Sequence, residues 1–273
     1  MVEDGSQAHG ARHRGVRMGG FGDASGFSTN GVKPVATTEG GYMVTKEPDV
    51  YWKAIVSCQH AGRGDMIGRS NEPGSPEGLY PAVDTLVYTY RPNLVTALLT
   101  LDRLPKLDGE NAARRANVES FRRQIAGVKA VSAPVADPDG ECAFHIQTLN
   151  FDAEHAGISR DTYLKALQAE GVPAVTYVEK SLHKSPRLSP DWNGPRVMWT
   201  ETIRQSGSDP TKVELPGCEL KVARSIDLPW NYYREDKALM ASIAAAFVKL
   251  EEGLDELRDW ERSHSRSQPA GAH

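Results

Sequence analysis

Residues Glu3–Ala11 read EDGSQAHGA, and they are followed by GFGD at Gly20–Asp23, FS at Phe27–Ser28, a lysine at Lys33 and EGG at Glu39–Gly41. Such glycine density occurs in linkers, but linkers repeat glycine and serine without interleaved Asp, Gln, His, Phe and Lys. The alternative is a backbone that turns sharply and approaches a ligand closely, which glycine permits at positive φ. We favour the ligand-binding interpretation.

The composition excludes several classes of protein. The chain has 273 residues and a formal net charge of -4, which argues against a nucleic-acid-binding face because nothing offsets phosphate repulsion. No stretch approaches the roughly 18 consecutive apolar residues of a membrane helix, and the acidic start Met1–Asp4 lacks the apolar segment of a signal peptide. We therefore expect a soluble, cytoplasmic protein with no nucleic-acid or membrane partner.

The three cysteines, Cys58, Cys142 and Cys218, are odd in number and widely spaced. They form no CxxC motif and no Cys/His cluster, which disfavours both a disulfide framework and a structural zinc site. We expect no metal.

The patterning beyond the glycine-rich region indicates a mixed α/β chain. Apolar residues recur at helical spacing from Asn93 to Leu104, and alternation or turn signals mark further strands and helices. The predicted elements are a strand at Gly41–Val44, a helix from Pro48, helices at 93–104, 110–125, 160–170 and 236–257, and strands at 144–149 and 173–178. Residues 259–273 are polar and predicted to be disordered.

Lys33 is the most reactive-looking group in the glycine-rich region. It could bind phosphate, although the P-loop pattern fails because Gly31 is not adjacent to Lys33 and Pro34 follows it. It could instead form a Schiff base with an aldehyde cofactor, and Asp4 is then a candidate for the acid that keeps a pyridine nitrogen protonated. Residue types alone leave open that Lys33 is a solvated loop lysine and that Asp4 caps a turn.

The order and spacing of these motifs strongly resemble the DegT/DnrJ/EryC1/StrS aminotransferases, the pyridoxal-phosphate-dependent sugar and cyclitol aminotransferases that include the aminohydroxybenzoate synthases. The likeness continues at Tyr90-Arg91, in the helix after Asn93, and through Leu228-Pro229. It implies an α/β fold, the fold-type-I pyridoxal-phosphate aminotransferase fold. Residues 1–100 would be the C-terminal part of the large cofactor-binding domain, 101–258 a small α+β domain with a long linking helix, and 259–273 the tail.

The resemblance also implies roles for individual residues. Lys33 would hold pyridoxal 5'-phosphate covalently and move the proton during catalysis, and Asp4 would lie beneath the pyridine nitrogen. Gln7 would lie beside the ring, and Ser28 would bind the phosphate.

Three further positions match the family more loosely. Thr89 stands where family members usually carry an asparagine that reaches the cofactor phosphate of a neighbouring subunit. Tyr177 and His183 fall where members place substrate-facing groups, and for His183 a structural role is equally consistent with the sequence.

Family members carry a front half of the large domain ahead of the segment matched by Asp4. The resemblance therefore implies a split enzyme, in which a second polypeptide supplies that half in a heterodimer or heterotetramer. The implied reaction moves an amino group from glutamate or glutamine to a keto sugar, cyclitol or related small metabolite, in secondary metabolism such as antibiotic biosynthesis. The alternatives are a non-catalytic regulatory or scaffold subunit, and a lysine-based pyridoxal-phosphate enzyme that eliminates or condenses.

Overall fold

A computed structural model of the chain describes residues 1–58, 88, 90–195 and 200–265, and these residues form two compact units. The first unit contains the described residues of Met1–Asn117 with Ala136–His145 and Trp230–Glu235. The second contains Val118–Val135, Ile146–Pro229 and the residues from Asp236 onward. Because each unit is assembled from separate stretches of chain, the predicted boundary after residue 100 stays a prediction.

Short strands alternate with helices along the chain, as the mixed α/β interpretation predicts. The strands are β1 (Val2–Asp4), β2 (Arg12–His13), β3 (Val16–Arg17), β4 (Ala24–Ser28), β5 (Gly41–Thr45), β6 (Val131–Ser132), β7 (Gly140–Glu141), β8 (Ile146–Phe151) and β9 (Ser225–Pro229). The helices are α1 (Pro48–Cys58), α2 (Leu94–Arg103), α3 (Leu107–Gln124), α4 (Ala153–Ala156), α5 (Arg160–Ala169), α6 (Thr200–Ser206), α7 (Pro216–Arg224), α8 (Lys237–Glu252) and α9 (Leu254–Ser265).

The first unit holds two three-stranded sheets. One has the order β1-β4-β5, with β1 parallel to β4 and β5 antiparallel to β4. The other has the order β3-β2-β7. The backbones of β4 and β5 approach each other closely at Gly41. A Cβ built on this residue would lie 2.5 Å from the carbonyl oxygen of Phe27. Beneath it, the rings of Phe27 and Tyr42 stack with their centroids 5.1 Å apart.

The carboxylate of Glu3 fastens β1 to the turn that leads into β4. It accepts hydrogen bonds from the backbone N–H groups of Gly19 at 2.8 Å, Phe21 at 3.0 Å and Gly22 at 2.6 Å. Burial raises the pKa of Glu3, but the three amides outweigh it and hold this pKa below its ordinary value. The GFGD motif is therefore a binding turn for the acid that precedes Asp4.

Helix α2 confirms the predicted amphipathic helix. Asn93 caps it, with its side-chain oxygen accepting from the N–H groups of Val95 at 2.7 Å and Thr96 at 3.3 Å. The apolar face is exposed, however, at 74% for Leu94, 59% for Leu98 and 67% for Leu101. An amphipathic pattern predicts that a face is buried, and the described residues of this unit leave the apolar face of α2 exposed.

The second unit is built on a sheet of order β6-β8-β9 with α5 and α8. Its core contains two contacts between aromatic rings: the centroid of Phe121 lies 5.4 Å from that of Phe247, and the centroid of Phe151 lies 5.0 Å from that of Tyr163. The strand predicted at 173–178 was wrong in extent, because only an isolated bridge from Val175 to Asp227 forms there.

The prediction of disorder from residue 259 is corrected by the structure, since Asp259–Ser265 belong to α9. This helix is tied to the second unit by its polar residues. Glu261 accepts from the hydroxyls of Ser159 and Thr162, each at 2.5 Å, and Arg258 Nε donates to the carbonyl of Ala156 at 2.8 Å. A polar composition indicated solvation here, whereas the polar groups cap neighbouring helices. Residues 266–273 lie outside the described residues.

Across the described ranges, no helix is both long and apolar enough to cross a membrane. Within the same residues, no group of three or more His, Cys, Asp or Glu side chains is placed to hold a metal ion.

The Glu3 clamp yields a stability prediction. Glu3→Gln keeps the shape but places an amide N–H against backbone donors, and it should lower the free energy of unfolding by about 2–3 kcal/mol. Urea unfolding followed by circular dichroism measures this. Glu119→Gln, an exposed carboxylate on α3, is the control and should change it by less than about 0.5 kcal/mol. Equal effects in the two variants would contradict a clamping role.

Candidate active site

Asp4, Ser28 and Lys33 lie at or next to one edge of the β1-β4-β5 sheet. Because β1 and β4 are parallel, their carboxyl ends meet at the same edge. Asp4 is the last residue of β1 and Ser28 the last of β4, and Lys33 follows Ser28 by one short loop. The carboxyl edge of a parallel strand pair is where α/β proteins commonly bind ligands.

Asp4 presents an exposed carboxylate that is held ionised. Ser6 donates to Oδ1 twice, from its hydroxyl at 2.5 Å and from its backbone N–H at 3.0 Å. The hydroxyl of Ser6, its N–H and the charge of Lys33 hold the pKa of Asp4 below its ordinary value. The structure thus brings Asp4 and Lys33 within electrostatic reach of each other.

The loop that carries Lys33 is a turn braced from several sides. Lys33 N–H donates to the carbonyl of Asn30 at 2.9 Å, and the Asn30 amide donates to Glu39 Oε1 at 2.8 Å. The hydroxyl oxygen of Ser28 accepts from the N–H of Asn30 at 3.3 Å, which leaves its own proton available to a ligand. Glu39 therefore shapes the turn that presents the half-buried Lys33.

Two buried histidines near Lys33 were missed by the sequence interpretation. His9 is 1% exposed, and its ring packs against those of Phe27 at 5.1 Å and Tyr42 at 6.0 Å. His145 is also buried, and it follows Phe144, whose φ of 46° is rare for an aromatic residue. Neither nitrogen of His9, nor Nδ1 of His145, has a hydrogen-bond partner within the described part of the chain.

The two imidazoles are held neutral. Burial, followed by the positive charges of Lys33 and Arg114, lowers the pKa of His9 to about 4 and that of His145 to about 4. The backbone of Ser28 acts in the opposite direction on His9, but it does not reach hydrogen-bonding geometry. His9 stood inside the EDGSQAHGA motif between small residues, and this placement was the available signal for its burial.

The remaining predicted site residues separate into three cases. Gln7 is exposed in the loop after β1. Thr89 lies outside the described residues. Tyr177 and His183 belong to the second unit.

Within that second unit, the two residues have different surroundings. The Tyr177 backbone N–H donates to Asp227 Oδ2 at 3.0 Å, and its side chain is exposed. His183 Nε2 lies 3.2 Å from Glu219 Oε1. This contact with Glu219 supports the structural alternative for His183.

The neutral histidines predict a loss of stability in acid. Their folded pKa values lie below the ordinary value of 6.5, so the unfolded chain binds more protons between pH 6.5 and 4. The stability that they contribute above pH 6.5 is lost as the pH falls through this window, by up to about 3 kcal/mol for each residue. Urea unfolding at several pH values should show a flatter pH dependence for His9→Phe and a still flatter one for His9→Phe/His145→Phe. Parallel curves for all three proteins would contradict buried neutral imidazoles.

Comparisons with known proteins identify the family of the chain. The family model described as the DegT/DnrJ/EryC1/StrS aminotransferase family matches residues 1–206. A putative L-glutamine:3-amino-2,3-dideoxy-scyllo-inosose aminotransferase of Streptomyces kanamyceticus is 27% identical over 267 residues, covering 95% of this chain and 60% of the relative. The L-glutamine:2-deoxy-scyllo-inosose aminotransferase of Streptoalloteichus tenebrarius is 29% identical over 271 residues, covering 94% of this chain and 60% of the relative. The chain thus spans about 60% of the length of these curated relatives.

Solved structures show the same fold. The structure of DesI in the presence of its TDP-sugar product matches with a TM-score of 0.70 at 22% identity, over 97% of this chain and 58% of that one. A DegT DnrJ EryC1 StrS aminotransferase from Brucella abortus matches with a TM-score of 0.67 at 22% identity, over 92% and 57%. The predicted fold class is confirmed. Enzymes of this family depend on pyridoxal 5'-phosphate, and the chain belongs to the DegT/DnrJ/EryC1/StrS aminotransferase family.

Proposed function

We propose that this chain is the lysine-bearing subunit of a pyridoxal-phosphate-dependent aminotransferase. The observation that carries the proposal is the placement of Asp4 and Ser28 at the carboxyl ends of the parallel strands β1 and β4, with Lys33 in the short loop after Ser28. Lys33 and Asp4 occupy the positions that the family motif gives to the cofactor lysine and the acid of the pyridine nitrogen. A scaffold protein would need neither residue.

The residues at this edge fit pyridoxal phosphate. Lys33 supplies an amine for the aldehyde, and Asp4 supplies an anion for a protonated ring nitrogen. Gly26 is the register partner of Asp4, and a Cβ built on it would meet no atom within 4 Å, so the surface beside Asp4 is open. His9 and Thr29 add buried polar atoms that lack partners among the described residues and could meet polar groups of a ligand.

The cofactor, when bound, supplies an electron sink for the carbon that loses its proton. Lys33 would bind it through its amine and, once displaced by the donor amine, would carry the proton at Nζ. Asp4 would keep the ring nitrogen protonated, because Ser6 favours its ionised form. Ser28 would donate its hydroxyl proton to the phosphate, and Gln7 would lie beside the ring, as the resemblance implies.

For the substrates, we propose an amino donor of the glutamine or glutamate class and an acceptor ketone on a cyclitol or sugar. The printed names of both curated relatives state L-glutamine and a scyllo-inosose. The natural setting would be secondary metabolism. Tyr177 is the exposed candidate for a substrate contact in the second unit, and Thr89 stays a candidate for the phosphate.

We further propose that the active unit contains a second polypeptide carrying the front half of the large domain. Two features of the first unit support this. Among the described residues, strand β1 occupies an edge of its sheet, with Val2 82% exposed, and the apolar face of α2 is exposed. Unpaired strand edges and large apolar faces are normally covered by other structure.

Borohydride reduction in the presence of pyridoxal phosphate tests the lysine assignment and the partner together. We expect mass spectrometry of the digested protein to find the pyridoxyl group on Lys33, and to find none at that site in Lys33→Ala. Lys53→Ala, an exposed lysine on α1, is the control and should be labelled like the wild type.

The labelling is compared for the chain alone and for the chain co-expressed with its neighbouring reading frames. Label that requires a co-purifying polypeptide supports the split enzyme. Label on the chain alone would contradict the partner requirement. No label on Lys33 in either sample would favour the non-catalytic subunit.

The role of Asp4 predicts a graded loss of activity. Asp4→Asn removes the charge but keeps the shape, and it should slow amino transfer from L-glutamine to 2-deoxy-scyllo-inosose by at least about 100-fold. Ser6→Ala should slow it less, because it removes one hydrogen bond that favours the ionised carboxylate. The measurement is the rate of amino transfer by each cofactor-loaded variant relative to the wild type. Near-full turnover in Asp4→Asn would place the partner of the ring nitrogen elsewhere.

A further inference from the structure

A buried asparagine on the first half of α3 contacts the loop that follows β1, and a buried arginine one turn further along the helix contacts that asparagine. Asn111 Nδ2 donates to the carbonyl oxygen of His9 at 2.8 Å, and Asn111 Oδ1 accepts from Arg114 Nη1 at 2.5 Å. Both side chains are almost completely buried. We propose that the Asn111–Arg114 pair positions the loop from Asp4 to Gly10, and thereby sets Asp4 and His9 relative to Lys33.

The backbone of the loop is shaped to receive Asn111. Gly10 has a φ of +74°, and a Cβ built on it would lie 2.7 Å from Asn111 Nδ2. A residue with a side chain would therefore be strained at this position and would push the amide away from the His9 carbonyl. Gly10 of the EDGSQAHGA motif thus permits the close approach of α3, which gives this glycine a physical role.

Arg114 is itself fixed on several sides. Its guanidinium lies 4.7 Å from the centre of the Tyr233 ring, and its Nη2 lies 3.7 Å from Glu110 Oε2. Its backbone carbonyl accepts from Trp230 Nε1 at 3.2 Å. Since these partners hold the guanidinium, the guanidinium can in turn hold the amide of Asn111 in the orientation that donates to His9.

The loop is anchored at its two ends by different means. Near Asp4, Gly5 N–H donates to the carbonyl of Gly26 at 2.8 Å, as part of the β1–β4 pairing. In the middle, Ala8 N–H donates to the carbonyl of Gly5 at 2.9 Å. At the far end, Asn111 of α3 donates to the carbonyl of His9, and the side chain of Leu107 lies beside Gly10. The anchoring of the loop does not depend on the proposed function. Only the expected effect on cofactor binding rests on it.

The same helix offers a matched control. Asn117 is as deeply buried as Asn111, and its Nδ2 donates to the carbonyl of Arg234 at 2.8 Å. Replacing either asparagine with alanine removes a buried amide from the same helix and leaves a backbone carbonyl without that donor. Only the Asn111 variant releases the loop after β1.

Hydrogen–deuterium exchange of the full chain without cofactor tests the positioning directly. The peptide covering Asp4–Ala11 should exchange at least about tenfold faster in Asn111→Ala than in the wild type, because one anchor of the loop is lost. In Asn117→Ala its exchange should stay within about twofold of the wild type. If Asn111→Ala does not fold, Asn111→Asp replaces it, since this variant keeps the acceptor for Arg114 but lacks the amide donor. Exchange equal to that of the Asn117→Ala variant would overturn the proposal.

Borohydride labelling of Lys33 then measures the consequence. In the sample that labels, the half-saturating concentration of pyridoxal phosphate should rise by about tenfold in Asn111→Ala and less than about twofold in Asn117→Ala. Equal concentrations in the two variants would overturn the link from loop to cofactor. If wild-type Lys33 is not labelled at all, the proposed function fails, whereas the exchange experiment still decides the anchoring.

Discussion

The candidate site depends on a single buried carboxylate, that of Glu3. Burying a carboxylate is unfavourable unless hydrogen bonds replace water, and here the N–H groups of Gly19, Phe21 and Gly22 do so. Gly22 has to be small, because a Cβ built on it would lie 2.7 Å from the carbonyl oxygen of Met1. The clamp joins two motifs that are separated in sequence, so the spacing between EDGSQAHGA and GFGD is a physical constraint. Asp4 is the residue whose position this constraint fixes.

The buried histidines limit the positive charge near Lys33 because they are neutral. If both were protonated, His9, His145, Lys33 and Arg114 would place four positive charges around one edge of the unit. Burial keeps the two imidazoles neutral, while the charge of Lys33 helps to hold the pKa of Asp4 below its ordinary value. Neutral imidazoles can also donate or accept a hydrogen bond without repelling a cation. The edge is therefore polar enough to bind a ligand without carrying a large excess charge.

Local pattern predicted the site residues that lie next to recognisable motifs. Lys33 and Asp4 were predicted as site residues because the glycine-rich segments fix their spacing, and α2 was predicted because its apolar residues recur at helical spacing. The buried state of His9 and His145 depends on contacts with Phe27 and on distant charges, which no local pattern reports. The same reason explains the helical Asp259–Ser265, whose Glu261 finds partners about a hundred residues away. Sequence reasoning is strong for spacing and weak for long-range burial.

Local pattern likewise does not predict what covers the apolar face of α2. A helical row of Leu94, Leu98 and Leu101 specifies that a face prefers to be buried, but it does not specify which chain covers it. Burying such a face against a partner gains roughly 25 cal/mol for each Å² of apolar surface removed from water, so several large side chains provide a substantial driving force. The pattern that indicated an amphipathic helix is therefore equally the pattern of an association surface, and the exposure of these leucines among the described residues favours an association surface.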